Sequence, residues 1–185
     1  MEGQPQSFLY LIASGQVKTF KSNKEGKELI TGWHGEGEFI GFVPLLENKP
    51  NNESAIVMKE AEMYLIPQQD FITLISNNKE IAKKFISMLS SDLYEAENIM
   101  FDLAYQSVHQ RIATVLVKLD NHAIKQVNGE RYIITVSRKD MSKMVGTSTE
   151  SLNRTLADFK DETLIEILDR GIKVIDRTKL ERVRK

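Results

Sequence analysis

Residues 79–106 contain neither glycine nor proline, and this stretch constrains the fold more than any other. Ile86, Leu89, Leu93, Ala96, Met100 and Leu103 recur at alternating three- and four-residue steps. That is the heptad spacing of a helix with a narrow apolar seam. A helix this long extends beyond one small domain, so its seam must bury either against its own strands or against a second copy of the chain. A narrow stripe suits a coiled-coil seam better than the broad face of a globular helix. The expectation is a homodimer joined along 79–106.

On the N-terminal side of this helix the apolar period is two. "FLYLIASGQVKTFKS" alternates around an expected turn at Ser14-Gly15, Asn23 to Gly26 supplies another turn before "KELITGW", and "AIVMKEAEMYLIP" reads as a strand pair. "GEGEFIG" and "PLLENKPNNES" read as connections. Short strands at this spacing suggest a sandwich or jelly roll over 1–78. The pattern opens in the middle of a strand, so earlier strands are expected to be missing.

On the C-terminal side, "VHQRIATVLVKL" has helical periodicity, Asn128-Gly129 reads as a hairpin turn, and a short helix is expected at 138–145. A further helix begins near 148, and Asp169-Arg170-Gly171 would turn a second hairpin. Helices followed by a hairpin make a winged helix-turn-helix over 107–185. The expected class is α+β: a jelly roll, a long dimerisation helix and a C-terminal winged helix-turn-helix.

Charge supports this division. Residues 1–106 carry 9 Lys/Arg against 15 Asp/Glu, whereas residues 107–185 carry 16 against 11. Only the second part suits a polyanion. With no cysteine in the chain, disulfides, thiol catalysis and cysteine-held zinc or iron–sulfur centres are excluded. His34, His109 and His122 show no ligand spacing, so no metal site is expected. No apolar run approaches the roughly 18 residues of a membrane span. The compartment expected is the cytoplasm, with no membrane partner.

The chemistry concentrates in "MVGTSTESLNRTL", residues 144–156. Gly146 can reverse the chain between two helices. Thr147 or Ser148 can cap the second, leaving N–H groups at its start free for a phosphate. Leu152, Leu156 and Phe159 pack that helix down, which leaves Thr149, Glu150, Asn153 and Arg154 on or near its open face. Set in a major groove, Arg154 can grip guanine O6 and N7, Glu150 can accept from cytosine N4, and Asn153 can read adenine or a phosphate. The plain alternative is an exposed i,i+4 ion pair between Glu150 and Arg154, contributing a few tenths of a kcal/mol.

"VSRKDMSKMVGTSTESLNRTLADFKDETLI" resembles the DNA-binding motif of the Crp/Fnr family, and "LYLIASGQVKTFKSNKEGKELITGWHGEGEFIG" resembles that family's cyclic-nucleotide-type β-roll. The resemblance implies a transcriptional regulator that binds a near-palindromic DNA site as a homodimer and contacts RNA polymerase. It places Glu150 and Arg154 at base-reading positions, and Arg138 and Ser148, with Thr147 beside it, at phosphate-contacting ones. Thr149 stands where the cyclic-AMP receptor protein has a further base-contacting arginine, so the half-sites need not agree.

In cyclic-nucleotide members the loop after 37–41 supplies a glutamate for the ribose and an Arg-Ser pair for the cyclic phosphate. Here those positions hold Phe42 and Glu53-Ser54, and a carboxylate would repel the phosphate. The expectation is a degenerate effector pocket, no response to cyclic AMP and no cofactor. An unknown ligand gating the regulator is the alternative. A cupin-like enzyme is a remote one, because three scattered histidines cannot supply its usual metal ligands. No enzymatic activity is expected.

Overall fold

The computed structural model describes residues 1–121 and 133–184, which form two compact units, Met1–Ala96 and Glu97–Lys185. The expected hairpin at Asn128-Gly129 lies outside the described residues.

The first unit is organised around one long strand. β1 (Phe8–Ser22) pairs antiparallel with β4 (Ser54–Pro67) along one edge, and with β2 (Glu28–His34) and β3 (Phe39–Ile40) along the other. The turn expected at Ser14-Gly15 and the strand pair expected at 55–67 are both corrected. Each segment is a single strand, and the pairing shifts register between Ile12 and Val17 instead of reversing. Gly15 has φ +91, and a Cβ there would lie 2.3 Å from the Glu60 carbonyl oxygen. Glycine therefore lets two long strands stay together through a bulge, where any side chain would force them apart.

The expected connection after "GEFIG" contains a short helix, α1 (Phe42–Glu47). Gly41 leads into it at φ 84 and Asn48 ends it at φ 52. α2 (Gln68–Asn77) follows β4, and Gln68 Nε2 donates to the Leu45 carbonyl, holding α1 in place. Asn78 then starts the long helix α3 (Lys79–Tyr105), its Oδ1 accepting from the N–H groups of Glu80 and Ile81. This is the helix anticipated at 79–106.

The seam expected on α3 divides. Leu89 packs with Phe85 and Met88 on a cluster containing Leu9, Leu45 and Phe71, so it faces its own unit. Phe85 meets Phe71 and Phe42 edge-on, at 5.0 and 5.7 Å between centroids. Ile86, Leu93, Ala96, Met100 and Leu103 remain exposed on the single chain. A heptad count cannot separate two neighbouring faces when aromatic residues just off the stripe take one of them.

The second unit contains α4 (Val108–Asn121), α5 (Arg138–Val145), α6 (Thr149–Asp161), the hairpin β5 (Ile165–Leu168) and β6 (Gly171–Val174), and α7 (Arg177–Val183). Ile112, Leu116, Met141, Leu152, Leu156, Phe159, Ile172 and Leu180 form its fully buried core. The basic C-terminal stretch folds into α7, with Leu180 at 0% exposure. Arg177 bonds Asp120 at 3.1 Å and Glu181 at 2.9 Å, so that guanidinium is already engaged within the protein.

Candidate nucleic-acid interface

The interface is built on two helices joined by three residues. Ser137 caps α5: its hydroxyl accepts from the Asp140 N–H and donates to the Asp140 carboxylate. This reciprocal arrangement satisfies two groups at the helix start. At the other end Gly146 adopts φ 70 and returns its N–H to the Ser142 carbonyl, and Thr147 donates to the same oxygen. A left-handed residue stops the helix there, and glycine adopts that conformation without strain.

Ser148 then caps α6 by accepting from the Ser151 N–H at 3.1 Å. Of the two caps considered, Ser148 is the one used. Leu152 and Leu156 project into the core, as does Phe159, which His109 meets edge-on at 4.5 Å. Glu150, Asn153 and Arg154 are therefore turned outward on the first turns of α6, and all three are exposed.

Arg154 donates to Glu150 Oε1 at 3.0 Å, with side chains 74% and 83% exposed respectively. An ion pair this open contributes only a few tenths of a kcal/mol. It aligns the two side chains yet gives way readily to stronger contacts.

Thr149 is exposed, but its hydroxyl lies 3.3 Å from that of Ser142, which is buried on α5 and donates to the Lys139 carbonyl. With the Ser142 proton committed, Thr149 supplies the proton of the cross-helix bond. It presents outward only a lone pair and a methyl group. Ser142 escaped the sequence reading; its place four residues before Gly146 was the available signal.

Arg138 lies in the first turn of α5, half-buried, and burial lowers its guanidinium from the usual range. Among the described residues no carboxylate pairs with it. A desolvated cation without an internal partner gains more from a phosphate than a fully hydrated one would.

Each position assigned to the effector pocket has a partner within the first unit. Phe42 packs on α3. Glu53 accepts from the Thr31 hydroxyl at 2.6 Å, and Ser54 accepts from the Glu2 N–H. His34 contacts Thr19 and Glu38, and His122 lies outside the described residues. Among the described residues no group of three or more His, Asp or Glu is arranged to hold a metal, and no helix is long and apolar enough to cross a membrane.

Comparison with known proteins agrees with both units. Residues 1–78 match the cyclic nucleotide-binding domain and residues 110–183 the Crp-like helix-turn-helix domain. A CRP-like cAMP-activated global transcriptional regulator of Mycobacterium tuberculosis is 26% identical over 182 residues, covering 98% of this chain and 81% of that protein. The structure of FixK2 from Bradyrhizobium japonicum superposes with a TM-score of 0.85 at 22% identity, covering 100% of this chain and 90% of that one. A CRP/FNR-family transcriptional regulator from Thermus thermophilus gives 0.83 at 20% identity, covering 100% and 92%.

Proposed function

This chain belongs to the Crp/Fnr family of transcriptional regulators, and from that premise we propose that it binds a near-palindromic DNA site as a homodimer without requiring cyclic AMP. The observation carrying the proposal is the exposed Glu150–Arg154 pair on the first turns of a helix packed down by Leu152, Leu156 and Phe159.

In this reading α6 enters the major groove. Arg154 grips a guanine, Glu150 accepts from a cytosine amino group, and Asn153 reads adenine or a phosphate. Thr149 offers its methyl group and lone pair to a pyrimidine edge. Arg138, Thr147 and Ser148 meet the backbone and set the register. The free seam of α3 joins two copies, so their recognition helices fall about one DNA turn apart. Phe42 and Glu53 stand where a cyclic nucleotide would need a ribose acceptor and a phosphate cation, and both disfavour that ligand. RNA polymerase is the partner through which binding acts, and the cytoplasm is its compartment.

The test is selection from a randomised duplex library with the full chain and no added ligand. A two-fold-symmetric motif is expected. Recovery of such a motif only after cyclic AMP is added would overturn the ligand independence.

A further inference from the structure

Ser142, buried at 4% exposure, holds the start of α6 through both of its oxygens. Its carbonyl accepts the N–H groups of Gly146 and Thr147, which closes the turn between α5 and α6. Its hydroxyl donates to the Lys139 carbonyl at 2.9 Å and lies 3.3 Å from Thr149 Oγ1. A serine hydroxyl carries one hydrogen, and the Lys139 carbonyl takes it. The hydrogen between the two hydroxyls is therefore that of Thr149.

Thr149 is the first residue of α6, exposed between the capping Ser148 and Glu150. A free threonine hydroxyl rotates and meets either an acceptor or a donor on a base edge. Here the donor is spent on α5, so guanine O6 and N7, adenine N7 and thymine O4 find no hydrogen at this position. The bond also turns Oγ1 toward a buried group, and a β-branched side chain has few other settings. With the oxygen held on the side of α5, the methyl group is the arm of Thr149 left to the groove. Among the base edges of the major groove, thymine offers the matching apolar group, its C5-methyl.

We infer that Thr149 reads a thymine through its C5-methyl group, and that Ser142 is the positioning residue that makes this threonine an apolar reader. The inference rests on the proposed entry of α6 into the major groove and names one base of the half-site. The contact is neutral and releases no counterion, so it adds discrimination without adding to the salt dependence.

The selected duplex is compared with copies in which each thymine of the half-site is replaced in turn, in both halves, by deoxyuridine. That nucleotide lacks only the C5-methyl group. Affinities of the full chain are read by fluorescence anisotropy at one salt concentration. For the wild type, one replacement should weaken binding about 3- to 5-fold per half-site. T149S should bind the thymine and uracil duplexes alike, whereas T149V should keep the difference, because valine brings the methyl group without the hydroxyl. S142A should shrink the difference, since the released hydroxyl rotates. The same substitution in the T149V background should leave it intact, since valine needs no such tether. A merely structural Ser142 would weaken both duplexes by one factor in either background.

Arg154→Ala on the same duplexes tests groove entry independently of Thr149. Loss of its preference for selected over random DNA establishes that entry; survival of the preference removes the reading on which the thymine contact rests. With entry established, a half-site without a methyl-sensitive thymine overturns the inference, as does a full difference in T149S. Retention in T149S with loss in T149V would make the oxygen the reader and also overturns it. An unaltered difference in S142A overturns the role of Ser142.

Discussion

Thr163 holds a conformation that costs stability, and replacing it should recover a calculable part of that cost. It follows α6 at φ 59, the left-handed region, where a β-branched residue is strained. Its N–H donates to the Lys160 carbonyl and that of Leu164 to the Phe159 carbonyl, both at 2.9 Å. These are the two bonds of a Schellman ending, completed by apolar contact between Leu164 and Phe159 within the core. The motif needs the left-handed residue whatever its identity. A non-glycine residue gives up about 1–2 kcal/mol there, whereas glycine adds about 0.4–1 kcal/mol of unfolded-chain entropy to be lost. Thr163→Gly should therefore stabilise the second unit by roughly 0.5–1 kcal/mol. In urea denaturation followed by circular dichroism at 222 nm, the helical transition should move up by about 0.3–0.6 M with an unchanged slope. DNA affinity should not change, because the residue lies at the far end of α6 from Glu150. A lower midpoint would show that the Thr163 hydroxyl bond to the Glu162 carbonyl outweighs the backbone strain, and the reasoning would fail.

Three other perturbations probe separate parts of the account. Arg138→Ala should weaken binding to all duplexes alike and lower the slope of log affinity against log salt by about one, as read by fluorescence anisotropy; an effect confined to one sequence would move Arg138 into the base-reading set. Leu93→Glu places a carboxylate on the exposed face of α3 and should convert the dimer to monomer in analytical ultracentrifugation, while the melting midpoint read by Trp33 fluorescence stays within about 2 °C of wild type. Asp92→Asn removes a carboxyl whose ionisation is disfavoured in the fold. Because the folded value is raised, the contribution of Asp92 to stability is full at acid pH and falls as pH rises through the carboxylate range. The substitution should accordingly be neutral at pH 3.5 and stabilising by a few tenths of a kcal/mol at pH 7.5 after solvent screening; calorimetry at the two pH values checks this.

The parts of the molecule legible in sequence are those whose signals are local. Ser137 with Asp140, Gly146 and Ser148 announce their caps within three or four residues, and α5 occupies 138–145 as read. Leu152, Leu156 and Phe159 repeat at helical spacing and are buried. What escaped depends on partners distant in the chain. Gly15 reads as a turn because nothing local reveals that β4 runs beside β1 through that point. Nothing local to Arg177 reveals that Asp120, on α4, pairs with it. Leu89 is drawn from the seam by Phe71 and Leu45. The division of residues on α6 into core and open face followed from sequence. The commitment of the Thr149 proton to Ser142 needed the two helices in place.

Arg154→Ala tests the central claim most directly, measured as affinity for the selected duplex and for random duplex at one salt concentration. If Arg154 reads a guanine through two hydrogen bonds, affinity for the selected site should fall about 5- to 150-fold, and affinity for random DNA should fall far less. Equal losses on both duplexes would make Arg154 a phosphate contact and would contradict the assignment of α6 as the reader of sequence.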